Sequence, residues 1–270
     1  MSHNLELYRE NPSIFQKYIA LTNQKQILID KVYNKIIDHN ISKKLTLLDI
    51  GCADGMVTVQ IIEKLRKLYK LKVTAIEASA ELISCFKSRI NYDITFINEN
   101  VESLDELPKS DFILIAHVVS YIDNLEKFLD KVMNSLNNKG IALIVVSNDK
   151  SDDKKVKSSL NKQNSKDTIS DNVKKVLNKK KVKYDVEIVD SEIDVSGIEN
   201  MNENGKTIIE FFKHKQFEDI SLGEINDIRN IILKMSNENK KIIKREDYIW
   251  IFNKNRLKYV KRIQIFSLYL

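Results

Sequence analysis

The chain has 270 residues, 43% of them hydrophobic and 30% charged, with a formal net charge of +6; this is enough apolar content to bury one large domain or a domain with an insert. Two cysteines, Cys52 and Cys85, exclude a disulfide framework, and with no leader pattern near Met1 and no apolar run of about eighteen residues the expectation is a soluble, cytoplasmic protein. The positive charge does not point to nucleic acid: lysines are interleaved with asparagine and isoleucine, and the densest basic stretch, Lys150 to Lys183, also carries Asp152, Asp153, Asp167 and Asp171, the pattern of a solvated helical face.

In chain order, residues Leu5 to Ile37 place apolar and aromatic side chains at helical spacing, which predicts one or two N-terminal helices. From Leu45 short apolar runs alternate with amphipathic segments: LTLLDI, VTVQIIEKLRKLY, KVTAIEA, ELISCFKSRI, ITFIN, DFILIAHVV, NLEKFLDKVMNSL and IALIVVS. Such alternation predicts an α/β fold with a mostly parallel sheet covered by helices on both faces. The helix from Asn124 should end near Asn137 to Gly140, and Cys85 should sit in the core of its helix. After Ser147 the polar run SNDKSDDKKVKSSLNKQNSKDT reads as a surface loop or a partly helical excursion. ISDNVKKVLN, GKTIIEFFKH and NDIRNIILKM then predict helices, and VKYDVEIVD and DYIWIF predict strands. The closing stretch RLKYVKRIQIFSLYL fits a further strand, a core cover or a subunit contact. The expected layout is a helical lid over residues 1–40 and a main domain over 41–270, with a substrate-side insert around 148–235.

In LLDIGCADG a strand ends in an acid, Asp49, and passes through Gly51, Ala53 and Gly55 into a helix. Small residues there let backbone approach a ligand, and the amides at the helix start face the same space. Glu77, at the end of the next strand, can accept two hydrogen bonds from ribose hydroxyls. The turn alone is a weak signal; the acid at the next strand end makes it a nucleotide-type site.

These stretches, with FINENVESL and SDFILIAHVVSYIDNLEKFLDKVMNSLNNKGIALIVV, resemble the class I S-adenosylmethionine-dependent methyltransferases over residues 45–146. YIALTNQKQ, HVVSYIDN and the region from TISDNVKK to about Phe212 are similar to the histamine N-methyltransferase-like small-molecule enzymes. The resemblance implies a Rossmann-like methyltransferase fold with seven strands, S-adenosylmethionine as methyl donor and S-adenosylhomocysteine as product. It implies that Gly51, Cys52 and Ala53 lie under the methionine moiety and that Asp49 supports its ammonium. Glu77, Ala78 and Ser79 then meet the ribose, Asn100 and Val101 the adenine, and Ala116 the cofactor's edge. Ala53 departs from the glycine common at that position, and Asn100 has the alternative reading of a turn-capping residue.

His117, at the end of the apolar strand FILIA, is placed to accept a proton or to orient the acceptor, and Tyr121 follows as a pocket tyrosine. Their plain alternatives are a strand-end histidine bonded to backbone and a core aromatic. In-line methyl transfer requires no metal. Tyr8, Phe15 and Tyr18 would line a lid over the acceptor. Gln24 stands where the histamine-type enzymes have a glutamate, and neither Asn23 nor Gln26 restores the carboxylate, so the acceptor should be a small molecule less cationic than histamine. The partner expected is a small-molecule methyl acceptor, with methylation at nitrogen favoured over oxygen. Peptide, protein or RNA methylation, a catalytically silent binding domain and a nicotinamide dehydrogenase are the rivals.

Overall fold

A computed structural model describes residues 12–39, 43–148, 150–161, 168–236 and 242–253. The chain divides into two compact units, one from Leu28–Val146, Ile169–Glu187 and Tyr248–Leu270, the other from Met1–Ile27, Ser147–Thr168 and Ile188–Asp247.

The first unit is built on the sheet. Its strands are β1 (Lys44–Ile50), β2 (Lys70–Ile76), β3 (Thr95–Ile97), β4 (Ser110–Ala116) and β5 (Leu136–Ser147), joined by β6 (Tyr184–Asp194) and β7 (Ile242–Asn253), both of which continue into the second unit. The seven strands run in the order β3-β2-β1-β4-β5-β7-β6, and the pairs β1/β2, β1/β4, β2/β3 and β4/β5 are parallel. β1 and β4 are near-continuous aliphatic runs because both faces of a parallel sheet are covered; Leu47, Leu48, Ile50, Phe112, Ile113, Leu114 and Ile115 are all buried. Register aligns Ile50 with Ile76 on one side and with Ile115 on the other. From β1 the chain moves outward to β2 and β3, then returns to place β4 on β1's other side. The crevice beyond the carboxyl ends of β1 and β4 is therefore a topological switch point, where open α/β sheets bind ligands.

Helices α3 (Met56–Leu65), α4 (Ala80–Ser88), α5 (Leu125–Ser135) and α7 (Ile169–Lys179) belong to this unit. α5 starts where the Asn124 side chain accepts from Lys127 N at 3.0 Å, and it buries Phe128, Leu129 and Val132 against β-strand residues such as Ile113 and Ile144. α5 ends at Ser135, just before the expected Asn137 to Gly140, and β5 starts at once, ahead of the run IALIVVS, because Leu136 is fully buried opposite Ser110 and Asn137 donates to Asp111 Oδ1 at 2.8 Å. Cys85 is also corrected. It lies on the exposed side of α4, whose buried face is formed by Ile83 and Phe86.

The second unit holds α1 (Pro12–Ala20), α6 (Asp152–Asn161), α8 (Glu203–Lys213) and α9 (Leu222–Met235), with the start of α2 (Gln24–Asp38). Its core gathers Ile14, Tyr18, Val156, Ile193, Ile208, Phe211, Phe212, Ile228 and Ile232. Tyr18 and Phe211 stack face to face, with ring centroids 3.5 Å apart and planes within 4°. Ser221 and Glu224 close a reciprocal capping box at the start of α9.

The lysine-rich stretch resolves into α6 and α7, separated by residues outside the description. On α7 and just past it, Lys179 reaches Glu126 at 2.7 Å and Lys180 reaches Asp130 at 2.7 Å, the exposed ion pairs of a solvated face. No helix among the described residues is long and apolar enough to cross a membrane, and none of their His, Cys, Asp and Glu clusters could hold a metal. The closing stretch RLKYVKRIQIFSLYL lies outside the described residues.

Candidate functional site: the switch-point crevice of the sheet

The turn after β1 is shaped by two glycines with left-handed backbone, Gly51 at φ +71° and Gly55 at φ +72°. A Cβ on Gly51 would fall 2.3 Å from Val118 Cγ2, so the turn after β1 lies directly against the segment after β4. A Cβ on Gly55 would enter the Phe86 ring. Ala53 also holds a left-handed conformation, φ +48°, at the position where the methyltransferase resemblance expects glycine. An alanine tolerates this at a cost of about 1 kcal/mol.

Glu77 is the clasp on this turn. Its Oε2 accepts from Ala53 N at 3.1 Å and its Oε1 accepts from Ser79 N at 3.0 Å, tying the β1 and β2 loops together. A carboxylate has about four lone-pair positions, so two remain for further donors. Asn98, which sequence reasoning did not single out, donates to the Glu77 and Ala78 carbonyls at 3.0 and 3.1 Å and fixes the clasp from below. Ser79 is used as a helix cap, its Oγ accepting from Leu82 N. Ala78 is exposed beside it.

Asp49 is buried at the end of β1, 3% exposed, and Thr58 donates to its Oδ2. Burial pushes its carboxyl up to about 7; the Thr58 bond opposes this and the nearby Glu77 charge adds to it. Thr58 was also missed in the sequence, since nothing local marks which threonine of α3 faces the strand. Asp54, within the turn, pairs with Arg89 at 3.0 Å. Cys52 is buried, and burial raises its thiol pKa, with the Asp49 and Glu77 charges acting in the same direction, so it is held as an uncharged thiol rather than a nucleophile.

Asn100 is exposed and serves its own turn: its Oδ1 accepts from Glu102 N at 2.9 Å and its carbonyl accepts from Ser103 N at 3.0 Å. The alternative reading of a turn-capping residue thus describes its contacts. Val101 is buried in the sheet unit's core. Ala116 is the last residue of β4, and His117 follows with a left-handed φ of +59°, its amide donating to Val145 O at 2.9 Å. A histidine held in that region is a strained position of the sort found at functional sites. Tyr121 closes a short 3₁₀ turn, Val119–Tyr121; burial raises the pKa of its hydroxyl, the Ser120 bond opposes this and the Glu77 charge adds to it. That coupling puts Tyr121 within electrostatic range of the clasp.

Asp49, Gly51, Cys52, Ala53, Glu77, Ser79, Ala116, His117 and Tyr121 thus belong to one unit and cluster around its switch point. Tyr18 and Gln24 belong to the other. Tyr18 is fully buried in that unit's core, and Gln24 Nε2 donates to Asp247 Oδ2 at 2.5 Å. The side chain of Phe15 and all of Tyr8 lie outside the description.

Strand order, glycine turn and strand-end acid together give this unit a Rossmann-like fold with a nucleotide-type crevice at its switch point. Comparison with known proteins agrees: the family described as "Methyltransferase domain" matches residues 48–142. Among curated relatives, the ubiquinone biosynthesis O-methyltransferase of Rickettsia bellii is 24% identical over 122 residues, 44% of this chain and 49% of that protein. The enzyme of the same name from Rickettsia prowazekii is 25% identical over 126 residues, 45% and 48% of the two chains. The chain spans about half the length of these curated relatives. Two solved structures share the fold. The plantazolicin methyltransferase BpumL, bound to a desmethylplantazolicin analogue and S-adenosylhomocysteine, has a TM-score of 0.51 at 18% identity, covering 90% of this chain and 93% of its own. YcgJ of Bacillus subtilis has a TM-score of 0.51 at 15% identity, covering 83% and 97%.

Proposed function

We propose that this chain is a cytoplasmic S-adenosylmethionine-dependent methyltransferase acting on a small-molecule acceptor. The observation that carries the reading is the Glu77 clasp: a carboxylate at the carboxyl end of β2, anchored by Ala53 N and Ser79 N, with lone pairs left over at a topological switch point. That donor and acceptor set fits a nucleoside: Glu77 takes the ribose hydroxyls, while Gly51 to Ala53 present backbone to the methionine end. Asp49, an acid kept from ionising by its burial, gains a partner when an ammonium arrives beside it. Ala78, Ser79, Asn100, Val101 and Ala116 complete the cofactor's surroundings in this reading.

When bound, the cofactor supplies a methyl group on a sulfonium, open to in-line displacement by a neutral nucleophile. The chain's own residues have to align the acceptor's lone pair and take up or hand on its proton. His117, which follows β4 in a left-handed backbone conformation, is the residue that takes up that proton in this reading. Tyr121 keeps its hydroxyl protonated and so acts as a donor that orients the acceptor. The lid over residues 1–40, the substrate-side insert around 148–235, and the roles of Tyr8, Phe15, Tyr18 and Gln24 in lining the acceptor belong to the same proposal. So does kinship with the histamine N-methyltransferase-like enzymes, which favours nitrogen as the methylated atom. Oxygen is the second reading, supported by curated relatives that carry the name O-methyltransferase.

The test is calorimetric titration with S-adenosylhomocysteine on the intact protein and on Glu77→Ala. Micromolar binding that falls at least tenfold in the variant is expected; equal affinity in both removes Glu77 from the site, and no binding to either removes the cofactor reading. Labelled methyl donor with a panel of amines and alcohols then separates nitrogen from oxygen.

A further inference from the structure

The second unit buries a polar cluster that its core packing does not explain. β7 alternates side chains across its two faces, so Arg245 and Asp247 share one face. Both are buried, 8% and 4% exposed, as is Asp153 at 4% in the first turn of α6. The Arg245 guanidinium donates to Ser147 Oγ at 3.1 Å and stands 3.7 Å from Asp153 Oδ2 and, through Nε, 3.8 Å from Asp247 Oδ1. Gln24 already occupies the other oxygen of Asp247. Among the described residues, three buried polar atoms here have no hydrogen-bond partner: Arg245 Nε, Asp247 Oδ1 and the Tyr18 hydroxyl. The buried Tyr18 phenol lies within electrostatic range of both Asp153 and Arg245.

We propose that this cluster is a ligand site that anchors an uncharged hydroxyl group of a small molecule. Nε and Oδ1, 3.8 Å apart, are too far for a bond to each other but close enough for one oxygen about 2.9 Å from both to bridge them, accepting from the guanidinium and donating to the carboxylate. A hydroxyl does both with a single atom. An ammonium would satisfy Asp247 and oppose Arg245; a carboxylate would do the reverse. Asp153 and Asp247 are already matched by Arg245 and by Lys157, whose Nζ stands 4.5 Å over the Phe211 ring, so a charged head would enter without compensation. Tyr18 stacks on Phe211 and meets Phe212 edge-on, so apolar aromatic surface adjoins the phenol. This goes beyond the proposed function: it assigns the group that this unit holds and does not depend on which reaction the protein catalyses.

The test uses the whole chain and four probes of one size: benzyl alcohol, benzyl methyl ether, benzylamine and benzoate. Benzyl alcohol should bind about tenfold more tightly than the ether, which lacks the donor, and more tightly than either charged probe. Tyr18→Phe keeps the ring stack and removes only the unpartnered hydroxyl. It should lose at least threefold in affinity for the alcohol while its melting temperature stays level or rises, a combination that a purely structural tyrosine would not give. Asp247→Asn, checked for folding by circular dichroism, should erase the preference for alcohol over ether. Equal binding of alcohol and ether, preference for a charged probe, unchanged affinity in Tyr18→Phe, or no binding of any probe each overturns the proposal. S-adenosylhomocysteine binding without alcohol discrimination refutes this site alone; alcohol discrimination without S-adenosylhomocysteine binding refutes the methyltransferase reading alone.

Discussion

Replacing Asp49 with asparagine should stabilise the protein, and increasingly so as pH rises. Burial holds this carboxyl at about 7 in the folded chain against an ordinary value of 3.8. The unfolded chain therefore releases the proton first, and between those two values the native state binds more protons than the unfolded one. Stability from this group is fully present below about pH 4 and is lost as pH rises through 7. The loss accumulates at about 1.4 kcal/mol per pH unit, so it amounts to roughly 1.5 kcal/mol at pH 5 and about 4 kcal/mol by pH 8. Asparagine keeps an oxygen for the Thr58 hydroxyl and carries no charge to desolvate, so urea melts of Asp49→Asn should exceed the wild type by a margin that grows from pH 5 to pH 8. A margin that is flat across that range would show that Asp49 ionises freely in the fold and would refute the burial argument. The same variant should lose affinity for S-adenosylhomocysteine, and wild-type affinity should climb as pH passes through 7, because the ligand ammonium needs the ionised acid.

Gly51→Ala combines a left-handed backbone with a collision at Val118 Cγ2, and should cost about 3 kcal/mol or more in a urea melt. Adding Val118→Ala should restore the steric part and leave the backbone part of about 1 kcal/mol; full recovery would mean the positive φ carries no strain. His117→Ala should lower turnover at least a hundredfold with S-adenosylhomocysteine affinity nearly intact, whereas loss of nucleotide binding would make the histidine a structural residue.

How much of this was legible in the chain depends on range. Strand and helix alternation, the turn at Gly51 and the acid at Glu77 could be read directly, because each is a run of consecutive residues whose apolar period or small size is itself the signal. The helix at Asn124 and the neighbourhood of its end were readable for the same reason, but not the early start of β5: the burial of Leu136 and the Asn137–Asp111 bond, set by tertiary pairing, carry the strand back to the end of the helix. Cys85 failed similarly, since amphipathic spacing alone did not settle which face of α4 turned inward.

What the amino-acid order determined by itself was the element sequence and the glycine-shaped turn after β1, both local properties of the chain. Only the folded structure decided which distant groups meet. It set Val118 against Gly51, raised the acid of Asp49 by closing α3 over it, and placed Asp247, 223 residues from Gln24, at the amide where neighbouring residues offered no carboxylate. The physical reason is common to all three: a side chain's charge and partners are set by what packs around it, and packing is decided by strand order and register, which no short stretch of sequence contains.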